Sequence, residues 1–206
     1  MDEELLNRRA LYPRVSDIIG KQTESEMRKI PIDNLVRASI RGIHIHAYCT
    51  AHAKGLFMAE IEAEYQPYVN AFIEWCDENI KRVLLCKTRL YDDVKRFSGE
   101  PDMIVEMNNG RRALIDLKTT AAASKSWSVQ LSAYDHLCRL NGYEYDDIFV
   151  MHLKKKYQKK REENCESLPL EVAAICLMQE NVNESWDLFT SALNCYDYFH
   201  RKEEKL

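Results

Sequence analysis

Residues 99–120 read "GEPDMIVEMNNGRRALIDLKTT", two short apolar runs either side of Asn108-Asn109-Gly110. Alternating apolar residues around an Asn/Gly turn predict a β-hairpin. With a three-residue loop and Gly110 in the left-handed position, Met107 faces Arg111, Val105 faces Ala113 and Met103 faces Ile115. Those pairs form one apolar side. On the other, Glu106 opposes Arg112 as a favourable charge pair, Ile104 opposes Leu114, and Asp102 opposes Asp116. A two-residue Asn109-Gly110 turn would place Asp102 opposite Leu117 and mix the faces, so the first register is preferred.

That register sets two carboxylates side by side, a destabilising arrangement without a counter-charge. Lys118 shares the face of Asp116 by strand alternation. A hard divalent ion such as Mg²⁺, which takes carboxylate oxygens together with waters and substrate phosphate, suits the gap between the acids. The plainer reading makes Asp102 a strand start and Asp116 to Lys118 a solvated edge. A D-x-K that ends an apolar strand beside a second acid argues against it.

Working outward, "DEELLNRRAL" and "YPRVSDIIG" predict short helices. "IDNLVRASIRGIHIHAYCTAHAKG" predicts a longer one stopped by Lys54-Gly55. "QPYVNAFIEWCDENIK" follows, with Pro67 near its start and Tyr68, Phe72, Trp75 and Cys76 on one stripe. "RVLLCKTRLYD" reads as one strand. "SWSVQLSAYDHLCRLNG" is a helix with Gly142 as its stop, "DDIFVMHL" and "LPLEVAAICL" are strands, and residues 181–206 make a closing helix. "KKKYQKKREEN" is a charged loop or hairpin arm. Trp127, Trp186, Tyr196 and Phe199 look like core. The expected fold is α/β: a mixed central sheet flanked by helices, with an N-terminal helical addition. One domain over 1–206 is expected, helical over 1–80 and sheet-forming over 81–180.

The totals narrow the class. The chain has 206 residues and a formal net charge of −4, which disfavours an indiscriminate polyanion binder but permits a local basic surface. Seven scattered cysteines include no CxxC pair, and read as reduced, mostly buried thiols. The N-terminus lacks a basic head and apolar core, and no stretch approaches the ~18 apolar residues of a membrane helix. A soluble, cytoplasmic protein is expected, with no membrane partner.

At Pro101-Asp102 and Asp116-Leu117-Lys118 the chain resembles the PD-(D/E)XK nuclease superfamily. Gln130 and Tyr134 in "QLSAY" match the QxxxY element of its RecB-type branch, and the i, i+4 spacing puts both on one helix face. "RGIHIH" resembles the RGxxxH element, which gives His46 the place of a metal-binding histidine. "YPRVSDIIG" is similar to the start of phage nucleases related to the mitochondrial genome maintenance exonuclease. The resemblance covers about residues 12–153. It implies a restriction-endonuclease-like core and a metal-dependent DNA exonuclease of replication, recombination or repair in a bacterial or phage-infected cell. It also implies Mg²⁺ or Mn²⁺ held by His46, Asp102, Asp116 and the Leu117 carbonyl. Lys118 would help place or activate the attacking water, with Gln130 and Tyr134 beside the site. Candidate DNA contacts are Arg37, Arg41, Thr119, Ser124, Lys125, Gln130, Tyr134, Lys154 and Lys155, on single- or double-stranded DNA with an end. A recombination or replication protein is a further candidate partner. Turn chemistry accounts equally well for Thr119 to Lys125, and a solvated arm for the run from Lys154 to Arg161. The chain departs from the family where many members carry a glutamate before the PD element. Here Cys86 and Lys87 stand near that place. A nuclease fold that binds nucleic acid or protein without full activity is therefore the alternative.

Overall fold

The structure, a computed structural model, describes residues 3–58, 60–156 and 172–200. The opening hairpin lies at its centre as β4 (Met103–Met107) and β5 (Arg112–Lys118). The observed register is the three-residue one: Met103 pairs with Ile115, Ile104 with Leu114, Val105 with Ala113 and Glu106 with Arg112. Gly110 has φ 82° and donates its N–H to Met107 O at 2.9 Å. A side chain there would strain the turn, whereas glycine adopts that φ freely. The Glu106 carboxylate does not take Arg112 as its ion partner. It reaches across to Lys81 and Arg82 of the next strand, both at 2.7 Å.

The hairpin sits inside a five-stranded mixed sheet of order β1-β4-β5-β6-β7. β1 (Ile80–Cys86) and β7 (Val172–Gln179) flank it, and β6 (Asp147–Lys156) runs parallel to β5. A parallel neighbour needs a long crossover, and α5 (Ser126–Leu140) supplies it. Before the sheet come α1 (Glu3–Ala10), α2 (Val15–Met27), α3 (Ile32–Ala53) and α4 (Gln66–Asn79), and α6 (Asn183–His200) closes the described chain.

Strand alternation gives the sheet two apolar faces. Ile104, Leu114, Ile148 and Val150 meet α2, α5 and α6 through Ile18, Leu131, Leu137 and Phe189. Met103, Val105, Ile115 and Met151 meet α3 and α4 through Ile45, Val69 and Phe72. Each fully buried Leu, Ile or Phe of this kind contributes about 1.5–3 kcal/mol. An α/β core with helices on both faces of a mixed sheet is thus what the sequence pattern anticipates.

Several local expectations need correction. "RVLLCKTRLYD" is not one strand. β1 begins at Ile80 and stops at Cys86, because Lys87 turns the chain at φ 46° and gives its N–H to Asp102 O at 3.0 Å. Residues beyond the turn form a small separate sheet, β2 (Leu90–Asp92) with β3 (Phe97–Gly99). β6 is longer than expected and absorbs Lys154 to Lys156, while β7 starts at Val172 and continues to Gln179. Phe199 is 75% exposed rather than core, whereas Trp127 is buried and Trp186 and Tyr196 pack against the core edge. Cys49, Cys76, Cys86 and Cys138 are buried free thiols, but Cys176 and Cys195 are exposed. Burial pushes the Cys76 and Cys138 thiols up to about 12, which keeps them unreactive. Cys165, the basic run from Tyr157 to Arg161, Leu168 to Glu171 and residues 201–206 lie outside the described residues. Among the described residues, no helix is long and apolar enough to cross a membrane.

Candidate active site

Asp102 stands between Pro101 and the first residue of β4, where the hairpin ladder ends. Its Oδ2 therefore accepts the Leu117 N–H at 2.6 Å, closing the strand end with a side chain. Its Oδ1 faces Lys87 Nζ at 2.5 Å and His46 Nδ1 at 3.4 Å. Burial opposes ionisation of this carboxyl, but His46, Lys87 and Lys118 outweigh it and hold its pKa below the usual aspartate range.

Asp116 lies within β5 and is almost wholly buried. Its Oδ2 has no hydrogen bond of good geometry. The contact it makes is ionic, to Lys118 Nζ at 2.6 Å. Burial raises its pKa, Lys118 works against that rise, and the nearby Asp102 charge adds to it. The two acids of one cluster are thus driven in opposite directions, the pattern that separates roles in acid–base sites.

Lys118 continues the chain of contacts. It donates to Gln130 Oε1 at 2.7 Å, and Gln130 Nε2 donates to Tyr134 Oη at 2.9 Å. The two bonds fix the orientation of the amide, oxygen toward the ammonium and nitrogen toward the phenol. Burial, then the charges of Asp116 and Asp102, push the Tyr134 hydroxyl up, so it stays neutral. Gly99 makes room for this ring. A Cβ there would come within 2.8 Å of Tyr134 Cε1 and of Leu137 Cδ1.

α3 crosses the same end of the sheet and supplies His46 and Arg41. Arg41 donates to Thr119 O at 3.4 Å, and its guanidinium lies 6.0 Å from the centre of the Tyr68 ring. Arg37, one turn earlier, is exposed. Thr119 is buried, Ser124 Oγ bonds Ser126 Oγ at 2.8 Å at the start of α5, and Lys125 is exposed there. Lys154 is exposed near the far end of β6. Lys155 pairs by its backbone with Ala173. The structure therefore makes two contact groups, His46 with Asp102 and Asp116 with Lys118, Gln130 and Tyr134, linked by the bond from the Leu117 N–H to Asp102. Arg41 and Thr119 adjoin them. Among the described residues, no contact ties Arg37, Ser124, Lys125 or Lys154 to that cluster.

Sequence reasoning missed two participants. Lys87 was noted only as standing where an acid is expected, yet its ammonium pairs with Asp102. His152 lies beside Lys118 in the parallel register and is fully buried. Its Nε2 contacts Thr120 O at 2.6 Å, and its ring packs edge-on against Trp127 at 4.9 Å. Burial lowers its pKa, and because a carbonyl oxygen only accepts, Nε2 is the donor in the contact with Thr120 O. A lone histidine in an apolar strand gives no sequence signal of that role.

Two carboxylates, an imidazole and the Leu117 carbonyl are a donor set chemically suited to a hard divalent ion. The buried Asp116 Oδ2, lacking a hydrogen bond, is an acceptor such an ion would satisfy. In this arrangement each carboxylate closes on a lysine. Among the described residues, no group of three or more His, Cys, Asp or Glu side chains is disposed to hold a metal.

No protein-family model and no curated protein matches the chain. Among solved structures it is similar to one described as "Crystal structure of SSO0001", with 17% identity, 94% of this chain and 77% of that chain covered, and a TM-score of 0.40.

Proposed function

We propose that the chain is a metal-dependent deoxyribonuclease of restriction-endonuclease-like fold that degrades DNA from an end. The observation that carries this reading is the unbroken contact chain Asp116–Lys118–Gln130–Tyr134 beside Asp102. A structural edge would leave Lys118 in solvent. Here it is held by an acid and an amide, 15% exposed, at the mouth of a carboxylate pair. The order helix, three antiparallel strands, helix, parallel strand also agrees with that fold.

His46, Asp102, Asp116 and the Leu117 carbonyl would hold Mg²⁺ or Mn²⁺, which supplies Lewis-acid neutralisation of the scissile phosphate. Lys118 presents a fixed positive charge that orients the attacking water and offsets charge building on the phosphate oxygens. Gln130, locked by Tyr134, keeps that ammonium in place. Water oxygen bonds to phosphorus, the bond to the 3′ oxygen breaks, and that oxygen takes up a proton, leaving a 5′-phosphate and a 3′-hydroxyl. Arg37, Arg41, Thr119, Ser124, Lys125, Lys154 and Lys155 are candidates for backbone phosphates, and such contacts make binding salt-dependent. A replication or recombination protein is a candidate partner.

The test is cleavage of end-labelled linear and closed circular DNA, single- and double-stranded, with Mg²⁺ or Mn²⁺. The expected result is degradation of the linear forms alone, lost without metal and lost in Asp116→Ala. Cutting of circles would instead indicate an endonuclease. One observation favours a second reading, a nuclease-fold module that binds nucleic acid without cutting it: Lys87 occupies an oxygen of Asp102. Intact DNA under every metal, with a clear binding shift, would establish that alternative.

A further inference from the structure

Lys87 is placed with unusual care for a surface lysine. Its backbone adopts φ 46°, a conformation that costs energy for any residue with a side chain and persists only where the surroundings impose it. Its N–H bonds Asp102 O at 3.0 Å, and its Nζ bonds Asp102 Oδ1 at 2.5 Å, so backbone and side chain grip one residue from both ends. Its side chain is 26% exposed. Across the site Lys118 holds Asp116. Each of the two carboxylates therefore has an ammonium group against it without any further ion. A dication reaching Asp102 must first displace an ammonium from Oδ1.

We infer that Lys87 is a built-in competitor of the divalent metal, an intrachain counter-ion that occupies the Asp102 end of the site and weakens metal loading. This rests on the metal-site reading above. The competition is direct, because one carboxylate oxygen cannot give its full charge to an ammonium and a metal at once. Removing the ammonium leaves the buried carboxylate short of one counter-charge, which an incoming cation can supply.

The experiment is Mn²⁺ titration of the full chain, with free Mn²⁺ followed by electron paramagnetic resonance, and the metal-induced rise in Tm as a second measurement. Wild type is compared with Lys87→Met, Lys87→Gln, Lys87→Arg and Asp116→Ala. Lys87→Met and Lys87→Gln are each expected to tighten Mn²⁺ binding several-fold, up to about fivefold, the factor a partly exposed ion pair of modest strength carries. Lys87→Arg, which keeps the charge, stays near wild type, and Asp116→Ala loses the site. Lys87→Gln retains a hydrogen-bond donor, so it serves if Lys87→Met does not fold. Unchanged or weaker binding in both neutral variants, with binding still lost in Asp116→Ala, overturns the inference and leaves the metal site standing. Binding that is absent from wild type and every Lys87 variant, or equal in Asp116→Ala, overturns the metal-site reading and the inference with it.

Discussion

One hairpin carries two sets of ion pairs, one at each end, and they differ in kind. At the turn end Glu106 meets Lys81 and Arg82, and Arg111 forks onto Asp147 at 2.6 and 2.8 Å. These cations are more than half exposed and already reach water. At the other end Asp102 and Asp116 are buried, their lysines are only partly exposed, and two hydrogen bonds extend the cluster into α5. Similar residue types thus serve different purposes. An exposed pair is nearly neutral for stability. A buried pair is costly to assemble and costlier to break.

The sharpest way to break this contrast is Asp102→Ala. It strands Lys87 and the Leu117 N–H, and chemical denaturation should show a loss of about 3–5 kcal/mol. If the loss matches that of Glu106→Gln at the turn end, the two ends are energetically alike and the contrast fails. Next, on the nuclease reading proposed above, Lys118→Met should lower the linear-DNA cleavage rate roughly 10²-fold or more, and because it removes the counter-ion of the buried Asp116 the melting curve should fall as well. A rate within a few-fold of wild type would make Lys118 a structural cation only.

Gly99→Ala tests the support behind the site. Its methyl group collides with Tyr134 and Leu137 side chains, and a stability loss of about 1–3 kcal/mol is expected by denaturation. Tyr134→Phe removes one bond to Gln130 and should cost about 0.5–1.5 kcal/mol. Glu106→Gln should move the denaturation midpoint least of all, and less again in high salt.

Acid titration separates the two carboxyls of the buried end by sign. Asp102 has a lowered folded pKa, so its contribution is present above the ordinary aspartate value and is lost as pH falls below it. Asp116 has a raised folded pKa, so the folded state binds its proton more tightly than the unfolded chain does. Stability from Asp116 therefore falls as pH rises from the ordinary value through the raised one. Asp102→Asn should flatten the acid limb and Asp116→Asn the slope just above it, measured as ΔG of unfolding against pH. The same sign in both variants would refute the opposed environments.

Much of this was legible in the sequence because the relevant interactions are local. Asn108-Asn109-Gly110 fixes the register, and the register fixes which residues share a face with Asp116. The i, i+4 pair Gln130 and Tyr134 reads from helix periodicity alone. Lys87 was not legible as a partner of Asp102. A left-handed lysine is decided by its bond to Asp102 O, fifteen positions along the chain, and no propensity encodes it. β2 was merged with β1 into one expected strand and β3 was missed, because three-residue strands are too short to show a period. Phe199 was assigned to the core on residue type, whereas the last turns of α6 extend past the body it packs on.

The register of the hairpin also bears on the order of folding. β4 and β5 are joined by a tight loop, and such hairpins close within about 1–10 μs, before distant elements dock. Lys118 belongs to the hairpin and can pair with Asp116 at once, but the partners of Asp102 arrive from elsewhere: His46 from α3 and Lys87 from the turn after β1. Asp102 therefore meets Asp116 before its own partners arrive, and the repulsion between the two acids falls on the folding barrier as well as on the native state. Asp102→Asn should then steepen neither limb of the chevron but raise the refolding rate while also raising the unfolding rate. The charge that the finished site requires slows the chain on its way there.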